Sequence, residues 1–84
     1  MVNVYLLLEL LRAANAGETV DALKELQIAN CKLANVVSLS DDKLVAQLDC
    51  ASYADANTAI LEKIAPVAGI VQTNIMAAVR PVHR

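Results

Sequence analysis

The sequence predicts an α+β fold built in the order strand, helix, strand, strand, helix, strand. Three observations lead to this order. Four stretches carry the period-two or fully apolar patterns of strands. Two stretches begin with a capping residue and continue as an apolar helical stripe. The few glycines and prolines, Gly17, Pro66, Gly69 and Pro81, separate these segments. Such an order is typical of the ferredoxin-like fold, a four-stranded antiparallel sheet with both helices on one face.

The first segment, residues 2–11, is predicted as a strand. Its even positions are wholly apolar, and its odd positions are largely so, with Asn3 and Glu9 as the exceptions. A strand that is apolar on both sides is covered on both faces of its sheet. A short buried helix is the alternative, but the β-branched start and the absence of a cap favour the strand.

Both helices are predicted from an N-cap followed by an apolar stripe. Asn15, with Glu18 three residues later, begins a helix over residues 16–27 whose stripe is Val20, Leu23 and Leu26. Ser52, with Asp55 three residues later, begins the second helix. That helix ends near residue 65, because Pro66 disfavours helical geometry before it. Its stripe is formed by Ala56, Ala59, Ile60 and Ile64 and widened by Leu61.

The remaining strands comprise a hairpin and a C-terminal strand. Two alternating runs, residues 32–39 and 44–49, flank a Ser-Asp-Asp cluster that favours a turn. The last strand covers residues 70–79 and ends before Pro81. One of its phases is predicted to hold Val71, Thr73, Ile75, Ala77 and Val79.

Composition limits the class of protein. The 84 residues, predicted as a single domain over 1–84, are 57% hydrophobic and 19% charged, which excludes a disordered chain. Tyr5 and Tyr53 are the only aromatic residues and the net charge is −2, so a nucleic-acid surface is not expected. The excess apolar surface predicts that the sheet face without helices packs against a second copy, as a dimeric α/β barrel.

No catalytic or metal-binding pattern is present in the sequence. The single histidine, His83, stands near the C-terminus, and Arg12 is interpreted as a surface charge at a strand end. Cys31 and Cys50 are predicted to be reduced, mostly buried thiols. We therefore expect a protein without enzymatic activity, metal or cofactor. The absence of an export signal or an apolar membrane span predicts a cytoplasmic location.

Two polar groups are candidate ligand contacts. Asp41 and Asp42 lie at the predicted hairpin turn, where they either fix the strand register as a solvated turn or contact a ligand or partner at the sheet edge. Thr73 and Asn74 interrupt an otherwise apolar strand. A polar group in a dimer core needs a hydrogen-bond partner, which a small polar ligand at a subunit boundary would supply.

Several short motifs resemble the ligand-sensing domain of the Lrp/AsnC transcription regulators. They are Leu-Glu-Lys-Ile at 61–64, Pro-Val-Ala-Gly-Ile at 66–70, Gln-Thr-Asn-Ile at 72–75, and the opening Val-Asn-Val-Tyr-Leu-Leu-Leu at 2–8. Taken together, the resemblance covers about residues 2–80. The hairpin departs from the family, since it reads Ser-Asp-Asp-Lys at 40–43 where Gly-x-x-Asp is usual, and the segment 11–15 lacks the common Pro-Gly start.

The resemblance implies a stand-alone sensing domain without a DNA-binding domain. It implies homodimers, higher rings of dimers, an amino acid or other small metabolite bound at subunit boundaries, and mixed assembly with a full-length regulator. The candidate ligand-binding residues are Ser40, Asp41, Asp42, Thr73 and Asn74.

Two other functions remain open. The run 42–46 and the element order also resemble the small chaperone that guards the signal peptide of periplasmic nitrate reductase, which implies a monomer that binds a twin-arginine peptide. A small dimeric α/β-barrel enzyme is the third hypothesis, with Asn3, Tyr5 and Asn74 as its available pocket residues.

Overall fold

The strands and helices follow the predicted order. A computed structural model describes residues 1–11 and 15–80, so Arg12, Pro81 and His83 lie outside the described residues. The elements are β1 (Val2–Leu10), α1 (Ala16–Lys24), β2 (Cys31–Ser40), β3 (Lys43–Cys50), α2 (Tyr53–Ala59) with a π-helical continuation (Ile60–Ile64), and β4 (Ile70–Val79).

The four strands form one antiparallel sheet in the order β2-β3-β1-β4. The two crossovers place β1 and β3 at the centre, whereas β2 and β4 are the edge strands. The helices cover one face of this sheet. This topology confirms the predicted α+β, ferredoxin-like fold.

The core lies between the helices and the two central strands. Alternate residues of β1, namely Val2, Val4, Leu6, Leu8 and Leu10, are buried, and so are Leu44, Ala46, Leu48 and Cys50 of β3. The helical layer contributes Leu23, Ala56, Ala59, Ile60 and Ile64 to the same cluster. The fully apolar phase of β1 therefore faces the helices. Burial of each large aliphatic side chain stabilises the fold by about 1.5–3 kcal/mol.

Both predicted helix caps are confirmed. The Glu18 N–H donates to Asn15 Oδ1 at 3.2 Å, and the Asp55 N–H donates to Ser52 Oγ at 3.1 Å. Helix α1 ends at Lys24, earlier than the predicted residue 27. Leu26 N–H donates to Leu23 O in a tighter terminal turn, and the chain then passes through Asn30, at φ 62°, to enter β2.

The prediction for Leu61 is wrong. This side chain is 73% exposed, whereas Ile60 and Ile64 are buried. The segment forms a π-helical turn in which Ala65 N–H donates to Ile60 O. Ile60 and Ile64 already complete the buried stripe, and successive side chains of a helix point about 100° apart, so Leu61 is turned towards solvent.

The predicted phase of β4 is also wrong. Thr73 pairs with Leu8 and Ile75 with Leu6, on the helix side, but Ala77 pairs with Tyr5, on the opposite side. Register shifts leave Val71 and Met76 without a direct partner. Each of these unpaired residues moves the side chains that follow it to the opposite face from the one a continuous alternation predicts. A bulge of this kind has no clear signal in an apolar sequence.

The prediction of two reduced thiols is wrong as well. Cys31 and Cys50 form a disulfide, and the described residues contain no free cysteine. The two residues lie directly opposite each other where β2 begins and β3 ends, with Cα atoms 4.0 Å apart. The hairpin register brings them together, which their spacing in the sequence does not reveal. The predicted cytoplasmic location was linked to two reduced thiols, and the disulfide removes that support.

Candidate functional site: the open face of the sheet

The helices leave one face of the sheet uncovered, and we call it the open face. Directly paired residues of neighbouring strands point to the same side of a sheet, so the strand registers define its members. They are Asn3, Tyr5, Leu7 and Glu9 of β1, Lys43, Val45, Gln47 and Asp49 of β3, Lys32, Asn35, Val37 and Ser40 of β2, and Gln72, Asn74, Ala77 and Val79 of β4.

A diagonal apolar band crosses the open face from one edge to the other. Val37, Val45 and Leu7 are neighbours across three strands, and Tyr5, Ala77 and Val79 continue the band towards the other end of β4. Val37 is 49% and Val79 47% exposed, whereas Tyr5, Leu7 and Val45 are half-buried. The predicted apolar stripe is therefore present, but it is narrower than the whole face.

Charged residues lie at the two ends of the open face. Lys32 is directly opposite Asp49 at one end, and Lys43 is directly opposite Glu9 at the other. These four residues are not among the candidate ligand contacts predicted from the sequence. The sequence shows that these charged residues alternate with apolar neighbours. Which charged residue lies opposite which depends on the register of the strands.

The predicted ligand residues of the hairpin form a small polar cluster at its tip. Ser40 Oγ donates to Asp42 Oδ1 at 2.9 Å, and Lys43 Nζ lies 3.6 Å from the same oxygen. The Ser40 hydrogen bond first, and then the charge of Lys43, lower the pKa of Asp42. Asp42 O also accepts the Leu10 N–H at 2.8 Å, which ties the turn to β1. Asp41 is exposed beside them.

Thr73 and Asn74 lie on the opposite edge of the sheet from this hairpin. Thr73 is half-buried on the helix side, whereas Asn74 is exposed on the open face beside Leu7. The edge strands β2 and β4 are three strand spacings apart, or roughly 14 Å. Within one chain, the five predicted ligand residues therefore do not form one site.

The structure places the residues of the enzyme hypothesis on one face but not in one cluster, since Asn74 pairs with Leu7, which is four residues or roughly 13 Å along β1 from Asn3. Asn3, Tyr5 and Asn74 all lie on the open face, on the adjacent strands β1 and β4. Asn3 Oδ1 is buried and has no hydrogen-bond partner among the described residues. A buried acceptor without a donor costs about 1–3 kcal/mol, so this amide is a weak point of the isolated chain.

Two open grooves of the described surface do not include any of the predicted ligand residues. One, of about 540 Å³, is bounded by Leu11, the first turns of α1 and the Ala68–Gly69 turn, with Glu18 and Thr19 in its wall. The other, also of about 540 Å³, lies beside the disulfide and includes Asn30, Lys32 and Asp49. The predicted ligand residues thus line neither groove.

Other site classes receive no support from the described part of the chain. Among residues 1–11 and 15–80, no group of three or more His, Cys, Asp or Glu side chains is placed to hold a metal ion. Nor is any helix in these two ranges long and apolar enough to cross a membrane. Comparison with protein-family models, curated proteins and solved structures finds no match to this chain. The resemblance to the Lrp/AsnC regulators accordingly stays a prediction.

Proposed function

We propose that the chain is a non-enzymatic assembly and sensing module that dimerises through its open face and binds a small metabolite, such as an amino acid, at the subunit boundary. The uncovered apolar band on the open face is the observation that carries this proposal. An aliphatic band of this kind gains free energy when a second sheet covers it.

The open face has about the size that a specific dimer needs. Four strands at about 4.8 Å spacing and eight residues at about 3.3 Å rise outline roughly 500 Å² per partner. Two such faces reach the ~1,000 Å² that is the lower limit for a specific interface. A face-to-face dimer is thus consistent with the fold.

Stacking about a two-fold axis that runs along the strands matches both the charges and the apolar band. This operation places β3 over β1 of the partner at the same level of the sheet. Lys43 then lies opposite Glu9 of the partner subunit, and Val45 opposite Leu7 of the partner subunit. Both contacts occur twice, so opposite charges and apolar side chains match across the interface.

The same stacking brings part of the predicted ligand site together. It places β2 over β4 of the partner, so that Ser40 lies opposite Gln72 of the partner subunit. The hairpin tip of one chain thereby approaches Asn74 of the partner subunit, whereas Thr73 is on the helix side and does not line this boundary. Stacked sheets are about 10 Å apart and side chains fill this space, but the short Ser40 and Asn74 side chains fill less of it and leave space for a small polar ligand at each boundary.

Native mass spectrometry of the purified chain tests the dimer. We expect a dimer or a multiple of dimers, and we expect Val45→Lys to weaken dimerisation at least tenfold, about 1.4 kcal/mol, since it places a charge in the apolar band. The matched control is Leu61→Lys, at an aliphatic side chain that is 73% exposed on the helical layer. A wild-type monomer, or equal effects of both variants, contradicts the proposal.

Charge reversal on separate chains tests the direction of the stacking. Lys43→Glu should weaken its own homodimer, and mixing it with Glu9→Lys chains should give a heterodimer. A heterodimer with Asp49→Lys chains instead would indicate a two-fold axis across the strands, which places Lys43 opposite Asp49 of the partner subunit.

The sensing part is tested with a mixture of the twenty amino acids in the same measurement. We expect a bound mass or a change of assembly with one of them, and a loss of that response in Asp42→Asn and Asn74→Ala. Asp21→Asn, an exposed carboxylate on α1, is the control. A dimer that responds to none of the twenty amino acids would support the assembly part of the proposal and contradict amino-acid sensing.

A cytoplasmic location belongs to this proposal and is tested by cell fractionation with compartment markers. We expect the chain in the fraction that holds the cytoplasmic marker. Recovery of the chain in an exported fraction would contradict the location.

A peptide-binding chaperone is the second candidate function, and the uncovered edge strand β4 favours it. An extended peptide can add to such an edge through main-chain hydrogen bonds. Titration with a twin-arginine signal peptide tests it: saturable binding to a monomeric chain supports the chaperone, and the absence of binding removes it.

A further inference from the structure

The outer edge of β4 is unusually open to strand pairing. The ten residues of this strand, Ile70–Val79, include no charged residue and no proline. Val71, Ile75, Met76 and Val79 are 56%, 40%, 51% and 47% exposed. Soluble proteins usually protect a sheet edge with charges, prolines or very short strands, and β4 has none of these devices.

The other edge strand is better protected. β2 carries Lys32, whereas β4 has no charged residue. Both strands have two register shifts with a regularly paired segment of four residues between them, 35–38 in β2 and 72–75 in β4. In β4, the segment 72–75 is where a further strand can add.

We propose that β4 pairs edge to edge, antiparallel, with β4 of a second copy about a two-fold axis at Asn74. In this register Asn74 lies opposite Asn74 of the partner subunit, and Thr73 lies opposite Ile75 of the partner subunit. Thr73 and Ile75 share the helix side of the sheet, whereas Asn74 is on the open face. The register therefore joins side chains of the same face, as a continuous sheet requires.

Charge complementarity favours a second copy as the occupant of this edge. Antiparallel pairing places Arg80, which directly follows β4, beside Ala68 of the partner subunit. Ala68 lines the groove whose wall contains Glu18, an exposed carboxylate on α1. Ala78 pairs with Val4 on the helix side, so alternation returns Arg80 to the side on which α1 lies.

Each end of the paired strands thus joins an arginine of one copy to a glutamate of the other. The strands themselves introduce no like-charge contact, because neither carries a charge. The second copy also completes the groove beside α1 with a cation. This contact is independent of the open face, so it holds whether or not the face-to-face dimer forms.

Cysteine cross-linking tests this contact directly. In Asn74→Cys, the two introduced thiols face each other across paired strands, where Cα atoms are about 4.5–5.5 Å apart, so mild oxidation should yield a covalent dimer as the major product. Gln72→Cys is the matched control on the same face of the same strand. Its two copies are about four residues apart along the paired strands, roughly 13 Å, and should not cross-link.

The geometry separates this proposal from the face-to-face dimer. Stacked sheets keep Cα atoms about 10 Å apart, too far for a direct disulfide, so the open-face contact cannot produce the cross-link. A Val45→Lys, Asn74→Cys double variant should therefore still cross-link. Cross-linking that is lost with Val45→Lys would tie the product to the open face and overturn the edge contact.

The contact between Arg80 and Glu18 of the partner subunit is tested by charge reversal in the Asn74→Cys background. Arg80→Glu should reduce the rate of cross-linking, and adding Glu18→Arg should recover it.

Equal cross-linking of Asn74→Cys and Gln72→Cys would contradict the register. If Asn74→Cys stays monomeric and a twin-arginine peptide carrying a cysteine is trapped there instead, the edge is a peptide site and not a copy–copy contact.

Discussion

At the scale of single residues, Ser40, Asp42 and Lys43 show how a polar cluster combines two functions. The Ser40 hydroxyl and the Lys43 ammonium both stabilise the ionised Asp42 carboxylate. The Asp42 carbonyl at the same time ties the hairpin tip to β1. The turn interpretation made from the sequence and the ligand interpretation are therefore compatible, because the side chain remains exposed while the main chain fixes the register.

Ser40→Ala should raise the pKa of Asp42 towards its ordinary value, because the variant loses the main hydrogen bond to the carboxylate. An NMR pH titration of the carboxyl carbon measures this shift. Ser38→Ala is the control, since Ser38 Oγ donates to the Ser40 carbonyl and not to Asp42. An unchanged pKa in Ser40→Ala, or an equal shift in both variants, would contradict the assignment.

The lowered pKa of Asp42 also fixes the sign of a pH effect. Its ionised form is favoured by folding, so the contribution to stability is present above the ordinary pKa of about 4 and is lost as the pH falls through the lower folded value. We expect the difference in unfolding free energy between wild type and Ser40→Ala to shrink in this acidic window. The effect should be small, since the group is exposed.

At the scale of secondary structure, the β2–β3 hairpin depends on contacts at both of its ends. The Asp41–Asp42 turn closes one end, and the Cys31–Cys50 bond closes the other. Asn30, at φ 62°, leads into this second end, and its main-chain oxygen accepts a hydrogen bond from the Ala51 N–H at 2.9 Å. The edge strand β2 is thereby held to β3 although its outer side is uncovered.

Reduction of the disulfide should lower the free energy of unfolding by about 3 kcal/mol, because the bond closes a loop between cysteines 19 positions apart in the unfolded chain. Urea denaturation with and without a reductant measures this difference. The Cys31→Ser, Cys50→Ser double variant is the control, because a reductant should not change its stability. Two titratable thiols in the unreduced native protein would contradict the bond.

At the scale of the whole molecule, the two faces of the sheet differ in what covers them. The helices bury the apolar phase of β1, whereas the band on the open face remains uncovered in the single chain. The two faces should therefore respond differently to substitution. Changes in the core affect folding, and changes on the open face affect assembly.

Leu6→Ala should lower the free energy of unfolding by about 2–5 kcal/mol, because Leu6 is fully buried between sheet and helices and leaves a cavity. Leu61→Ala removes the same atoms from a side chain that is 73% exposed and should change stability by less than about 0.5 kcal/mol. Chemical denaturation of both variants measures the comparison. Similar losses would contradict the assigned core.

The sequence by itself determined the element order and both helix caps. These features depend on local signals, since Asn15 and Ser52 cap the next turn of chain. The prediction of the hairpin was correct for the same reason, since Asp41 and Asp42 favour a turn where two alternating runs meet. Which phase of β1 faces the helices was left open by the sequence, because both of its phases are largely apolar.

Only the tertiary structure decided which residues meet across strands. Neither the Cys31–Cys50 bond nor the alignment of Lys43 with Glu9 follows from spacing, because both require the register of two strands. The bulges of β4 reverse a phase that the sequence predicted as continuous, and the π-helical turn directs Leu61 into solvent. Register and bulges arise from pairing between distant segments, so a local pattern cannot specify them.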